Sequence, residues 1–450
     1  MTVCATEVAE GNDDGGVGVP RPGCVITADG TYAARLARAG ESWFPERWTL
    51  DGPEPYAVPL PMNQPEEPGT EVLPMSDGRV LIHRVAGGRH LFSLLYPTGP
   101  GTGELPLGSV ECPDAAVRLR LLPPAPRGER AYALAVGPSS SVVWLVAGGA
   151  RGAGGPERLA EVAGRCSGGV WLDGTGRMLA LDRSLGGRTK TVVVDLEDGG
   201  AVSPLLQIAE DSDDRLLLAD AESGLLMIRS DAPSPGEGRL GWGVLGSTLP
   251  IRFPECLRLR DCVVTPFAIQ PGQVLTPESC AVALRVDGAG GSWVGVWRPA
   301  GRQVLHLPAP EGWLVGAGRW SREGVLQLPY ATGVVACGVA RVEVSGGGDE
   351  SDSWPTSACS SGSGSGSASG SESGSGSAST STSTSTSTST STSTVGGTSL
   401  RQPLPLAEPV AARPVPLREA PLRGRVGAEQ SSSATGQDSS PPPPLPIPVP

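Results

Sequence analysis

Through roughly the first three quarters of the chain, apolar and polar residues alternate with period two in short runs that stop at Gly, Asp or Pro. LIHRV and MLALD show the alternation, which is the signature of a half-buried strand. The stretch GGVWLDGTGRMLALDR, beginning at Gly168, reads as strand, turn with Asp and Gly, then strand. It recurs as ADGTYAARL at Ala28, SDGRVLIHRV at Ser76, GERAYALAV at Gly128, TGRMLALDR at Thr175, DDRLLLADA at Asp213, ESCAVALRV at Glu278 and REGVLQLPY at Arg322. Successive copies start 48, 52, 47, 38, 65 and 44 residues apart. Asp-Gly suits these turns because Gly accepts the positive φ that a tight hairpin needs.

A second apolar strand follows each copy, from WFPERWTLDG in the first to TVVVDLEDG in the fourth, LLMIRSD in the fifth and VVACGVARVEV in the seventh. The repeat length, about 49 residues, leaves room for four strands per unit and suits a propeller blade. A lone four-stranded sheet cannot cover both of its faces, whereas radial stacking covers both and leaves only short edges. The predicted fold is therefore all-β, a seven-bladed β-propeller over residues 24–346, with a flexible segment 1–23 before it. A double sandwich or tandem barrels would give similar spacing. Residues 230–278 fit the repeat poorly and are read as extra loop, and a single helical turn is expected around Glu157–Val162.

WLDGTGRMLALD from Trp171 to Asp182, with the TVVVDLEDG that follows, resembles the repeat of TolB-type propellers and of the propeller domain of prolyl-oligopeptidase-like serine peptidases. The resemblance covers roughly residues 24–346, is best in this one blade, and implies architecture rather than activity. The recurring Gly-His and Trp-Asp pairs of WD40 repeats are absent, and no hydrolase domain of the peptidase kind is read after the repeats.

Past Gly346 the composition changes, which predicts a disordered, low-complexity tail over 347–450. SGSGSGSASGSESGSGSA runs into an alternating Ser-Thr tract (Ser379–Thr394), then Pro-rich RQPLPLAEPVAARPVPLREAPLRGRV (Arg401–Val426) and a terminal PPPPLPIPVP. The Ser-Thr tract offers no apolar face to offset the entropy of ordering it. The Pro-rich stretches are compatible with polyproline-II docking into an aromatic groove, or with a plain linker. The seventh unit lacks an outer strand, which either the segment before Cys24 or residues 409–417 would supply.

Charge and composition narrow the partners. The chain of 450 residues carries a net charge of −12 and a pI near 4.9, which disfavours a nucleic-acid partner. Lys190 is the only lysine. No apolar stretch is long enough to span a bilayer, and the first residues do not read as a secretory signal. Nine cysteines from Cys4 to Cys359 are read as small buried hydrophobes in a reducing compartment, so the expected location is cytoplasmic, as a monomer away from membranes.

Candidate chemistry is sparse. None of the histidines, His83, His90 and His306, has metal-ligand spacing, and Cys256–Cys262 lacks a second pair. G-x-S-x-G is absent before Gly346, and GGRTKT (Gly186–Thr191) lacks the order of a phosphate loop, so it is read as a hairpin tip. Asp211, Asp213 and Asp214 lack the Gly and Glu of an EF-hand loop and are read as a solvated acidic turn. Trp144, Trp293 and Trp297 are read as wedges between blades, each needing an acceptor for its indole N–H. No catalytic, cofactor-binding or metal residue is assigned, and no cofactor is expected. The leading expectation is a non-catalytic scaffold that binds a protein or peptide. The alternatives are an enzyme with its site in the central channel, and a peptidase-type propeller that binds peptides without cleaving them.

Overall fold

The computed structural model describes residues 23–344 apart from 100, 113, 115 and 150–154. The expectations for 1–22 and for the tail, including the strand donor at 409–417, lie outside the described residues. Seven antiparallel sheets follow one another along the chain, each built from strands adjacent in sequence. Blade one holds β1 (Val25–Ile26), β2 (Tyr32–Ala39), β3 (Ser42–Thr49) and β4 (Tyr56–Pro59). Blade two holds β5 (Glu71–Pro74), β6 (Val80–Ala86), β7 (Arg89–Pro97) and β8 (Thr102–Glu111). Blade three holds β9 (Arg118–Leu121), β10 (Ala131–Val136), β11 (Ser140–Ala147) and β12 (Glu157–Ala163). Blade four holds β13 (Arg165–Trp171), β14 (Met178–Leu185), β15 (Arg188–Asp195) and β16 (Ala201–Leu206). Blade five has three strands, β17 (Asp214–Ala219), β18 (Leu225–Ser230) and β19 (Arg239–Val244). Blade six has β20 (Val263–Ile269), β21 (Val282–Gly288), β22 (Gly291–Trp297) and β23 (Leu305–Leu307). Blade seven again has three, β24 (Arg319–Trp320), β25 (Val325–Tyr330) and β26 (Gly338–Glu343).

The seven sheets close into a ring because each buries both faces. Seven apolar clusters lie one at each seam between neighbouring blades. Ala34, Leu60, Val80, Ile82 and Leu95 fill the seam between blades one and two. Cys24, Ala33 and Trp48 of blade one meet Ala317, Leu314 and Ala331 of blade seven and shut the circle. At the same place Gly23 N donates to Val315 O at 3.1 Å. First strands of neighbouring blades touch (β1 with β5, β5 with β9, β13 with β17, β17 with β20, β20 with β24), so these strands line the axis. The protein is a seven-bladed β-propeller with almost no helix among the described residues, two 3₁₀ turns aside.

Two expectations need correction. Glu157–Val162 is strand β12 rather than a helical turn: its inward positions Ala160 and Val162 alternate with exposed ones, the pattern of a strand covering one face. The fifth copy of the repeat falls on an axial strand and not on a second strand. DDRLLLADA contains β17, the axial strand, and LLMIRS is the second strand. With that shift, the second strands of blades four, five and six begin at Met178, Leu225 and Val282, and the short 38-residue interval disappears. Axial and second strands are both packed on two sides, so their apolar patterns are interchangeable. Blade seven has three strands among the described residues, as expected; the donors named for a fourth, the segment before Cys24 and residues 409–417, lie outside them apart from Gly23.

Alternation of strand direction gives the ring two unlike ends. One carries the turns between first and second strands, and blades are tied to each other there. Arg319 Nη1 donates to Asp29 O (2.6 Å), Arg47 Nη1 to Gly78 O (3.2 Å), Ser76 N to Gly128 O (3.0 Å) and Gln270 Nε2 to Arg322 O (3.2 Å). The other end carries the second-to-third-strand hairpins, where Val85, Leu185 and Val334 stand exposed.

Candidate functional site

An axial strand is the edge of its sheet, and its inward N–H groups need acceptors from elsewhere. Carboxylates of the preceding blade provide two of them. Glu71 on β5 accepts from Leu121 N of β9 at 2.9 Å. The same oxygen lies 3.0 Å from His83 Nδ1, and His83 Nε2 lies 2.9 Å from His90 Nδ1. With Glu71 accepting, the network places protons on His83 Nδ1 and His90 Nδ1 and leaves a lone pair on His90 Nε2. His83 also stacks on Phe92 with ring centroids 5.1 Å apart. The two imidazoles are 3% and 8% exposed, and burial, reinforced by His83, holds His90 below the ordinary histidine pKa.

Asp182 on β14 does the same for blade five. Its Oδ1 accepts from Leu216 N of β17 (3.0 Å) and from the Thr191 hydroxyl (2.8 Å). Burial outweighs these bonds and the nearby Arg215 and Arg120, and pushes the carboxyl up to about 6. A bulge in β13 brings backbone over the carboxyl: the register passes from Ser167 opposite Asp182 to Val170 opposite Ala180. Gly168 and Gly169 occupy it at φ 74° and 130°, and a Cβ on Gly168 would lie 3.1 Å from Asp182 Oδ2.

Arginines gather on this wall. Arg120 Nη2 donates to Gly168 O at 2.6 Å, and Arg215 donates to Ser167 Oγ (3.2 Å) and Thr189 Oγ1 (3.3 Å). Arg229 stands directly opposite Arg215 in register and donates to Val264 O at 2.9 Å. Like charges facing each other across a ladder repel. Burial, then Arg215, lowers the Arg229 pKa. Among the described residues no carboxylate forms an ion pair with Arg183, Arg215 or Arg229, and the buried Arg183 Nε has no hydrogen-bond partner.

The solvated-turn reading of Asp211, Asp213 and Asp214 fails for Asp214, which is 0% exposed. Its carboxylate takes Lys190 Nζ (2.8 Å), Ile208 N (2.9 Å), Ser212 Oγ (2.8 Å) and Ser230 Oγ (2.6 Å). Four donors satisfy a buried charge that water would otherwise have to solvate. Lys190 also donates to Ala209 O and Ser212 Oγ, so of GGRTKT only Gly186 and Gly187 form the hairpin tip. The lone lysine and the DDR triplet were the available signals for this pair.

The remaining residues noted from sequence lie apart from this wall. Cys256 and Cys262 are free, half-buried thiols between blades five and six. Trp297 is buried at that seam, whereas Trp144 and Trp293 are half-buried. The Trp293 indole donates to His306, and the Trp144 N–H finds no acceptor among the described residues.

No protein-family model matches the sequence, and no curated protein matches it. Solved structures do. TolB from Acinetobacter baumannii is 12% identical over 64% of this chain and 62% of its own, with a TM-score of 0.40. A puromycin-hydrolyzing peptidase from Mycobacterium tuberculosis is 17% identical over 72% and 52%, with a TM-score of 0.46. An oligogalacturonate lyase from Vibrio parahaemolyticus is 11% identical over 68% and 85%, with a TM-score of 0.44. The chain thus spans about half of the peptidase and less than two thirds of TolB. TolB-type and peptidase-type propellers are the class that the repeat resembles; the fold itself rests on the strand order above, and these likenesses say nothing of chemistry.

Proposed function

We propose that the protein is a non-catalytic binding propeller that takes an acidic segment of a partner protein at the arginine-rich wall of blades three to five. One observation carries the reading: Arg215 and Arg229 spend their donors on carbonyl and hydroxyl oxygens, while Asp182 of the same wall accepts from a backbone N–H of the next blade. A half-buried guanidinium with no carboxylate in direct contact gains most from an incoming one. Net acidity elsewhere keeps the chain soluble and discourages long polyanions such as nucleic acid, so a short acidic peptide fits better. The reading places the protein in the cytosol as a monomer with a protein partner.

The test is fluorescence anisotropy with a labelled glutamate-rich peptide and its glutamine counterpart. The glutamate peptide binds at low salt, weakens as salt rises, and loses about tenfold or more in affinity in the Arg215→Ala, Arg229→Ala double variant. Equal binding of the glutamine peptide overturns the reading. The buried Glu71, His83, His90 relay favours a second reading, an enzyme that uses the channel for proton transfer. It requires a His90→Gln variant to lose turnover of a substrate while leaving peptide binding unchanged.

A further inference from the structure

Blade six has four strands and both of its neighbours have three, so β23 projects past the third strands on either side. In blade five the outer edge of β19 is covered, since Trp242 N and Arg252 N each donate to the other residue's carbonyl at 2.9 and 3.0 Å. Nothing comparable reaches β23 among the described residues. His306 is exposed, and Leu305 is 49% exposed. Trp293 on β22, His306, Leu307 and Pro308 line a shallow, open groove there whose accessible surface is almost wholly carbon.

The polar chemistry of this groove is one-sided. The Trp293 indole N–H donates to His306 Nδ1 at 2.9 Å, with the rings 6.2 Å apart and inclined at 55°. Because Nδ1 accepts, the neutral imidazole carries its proton on Nε2, which has no partner among the described residues. The groove therefore offers flat ring faces and a donor. A prolyl segment is its complement: every Pro removes an N–H and leaves a carbonyl, and polyproline II needs little entropy to hold its shape.

We propose that this groove binds a polyproline-II segment and that its occupant is the chain's own PPPPLPIPVP, residues 441–450. Seven of these ten residues are proline and none is charged, which matches a groove without charged lining residues. The other Pro-rich stretch carries Arg401, Glu408, Arg413, Arg418, Glu419, Arg423 and Arg425, charges for which the groove has no counterpart. The 96 residues between Val344 and Pro441 are contour enough to reach any point of the ring. Prolines seat against the Trp293 and Pro308 rings, and a prolyl carbonyl accepts from His306 Nε2.

Anisotropy of fluorescein-labelled PPPPLPIPVP tests this against the full chain and a chain ending at residue 440. The shortened chain binds the peptide about tenfold more tightly, because the full chain carries its own competitor. In the shortened chain, Trp293→Leu weakens binding by about tenfold and His306→Phe, which keeps a ring but no donor, by about threefold. If Trp293→Leu melts early, His306→Phe alone decides the matter. Equal binding by the full and shortened chains shows another proline-rich protein to be the occupant and overturns the proposal. It is overturned equally by the absence of binding to the shortened chain, or by undiminished binding of a peptide with its prolines replaced by alanine.

Discussion

Two seams of the same ring hold their blades together by different means. Between blades four and five an apolar cluster that includes Leu205, Leu216 and Ile228 is joined by a buried polar one: Asp214 gathers four donors from two blades and the stretch between them, and Asp182 accepts from the backbone of β17. Between blades seven and one the centre is Cys24, Ala33, Trp48 and Ala317, with the Trp48 N–H handed to Glu46 Oε2 at 2.8 Å. The polar seam joins blades that are already connected by a short stretch of chain and fixes their register through directional bonds. The apolar seam joins ends of the ring about 290 residues apart in sequence, where non-directional burial tolerates small misfits. A polar seam therefore fails in steps and an apolar one by degrees.

Asp214→Ala has the largest expected effect. It leaves the Lys190 charge without its carboxylate and takes the acceptor from the Ser230 hydroxyl and the Ile208 N–H in a buried seam, at a cost of about 3–5 kcal/mol in urea unfolding. Adding Lys190→Met removes the unpaired charge and recovers part of the loss; strict additivity of the two changes would mean that the pair does not act as a unit. Trp48→Phe at the closing seam costs about 1–2 kcal/mol, the loss of one ring's volume and one N–H bond, with no cooperative penalty. A Trp48→Phe cost as large as that of Asp214→Ala would erase the contrast between the seams.

Asp182 sharpens it through pH. Its folded carboxyl titrates near 6 against an ordinary 3.8, so the folded state binds the proton more tightly than the unfolded one. That contribution is complete below about pH 3.8 and is lost as pH rises through 6. Asp182→Asn keeps an acceptor for Leu216 N and has nothing to titrate. Its stability relative to the parent therefore rises between pH 4 and 7, by on the order of 2 kcal/mol. A difference that stays flat over this range, followed by thermal melts, would mean that the carboxyl is not buried as described.

The apolar seams could be read from sequence because alternation marks every strand whose faces are covered, and six of the seven repeat copies fell on second strands. The polar seam could not. Charged residues near a turn read as solvated, and only the meeting of blades four and five shows Asp214 enclosed by Ser212, Ser230 and Lys190 from three separate stretches. The slip in blade five has the same origin, since an axial strand covered on both sides looks like any other buried strand. The Arg215 and Arg229 pair was hidden for a further reason: their opposition depends on register, which a bulge between Leu216 and Leu218 shifts only after this pair. The wall of blades three to five is a product of the ring, assembled from β9, β13, β17 and β18, and no single segment announces it.

The smallest effect concerns opening rather than global stability. Cys24 at the closing seam and Cys166 between blades three and four are both 3% exposed, so neither labels without a local opening. Burial pushes the Cys24 thiol up to about 12 and raises Cys166 as well, which leaves both inert in the closed ring. The described chain runs continuously through the seams between blades three and four only by way of a short connector at Gly164, so those blades part only if their sheets distort. Among the described residues blades seven and one have no such connector, and they separate by exposing one apolar cluster and breaking the Gly23–Val315 and Arg319–Asp29 hydrogen bonds. Under native conditions Cys24 accordingly reacts with a thiol reagent several-fold faster than Cys166 once each rate is scaled to its unfolded-state value. Equal protection of the two cysteines, measured by mass spectrometry of the labelled peptides, would mean that the closing seam is as firm as a connected one and that the ring opens only by unfolding as a whole.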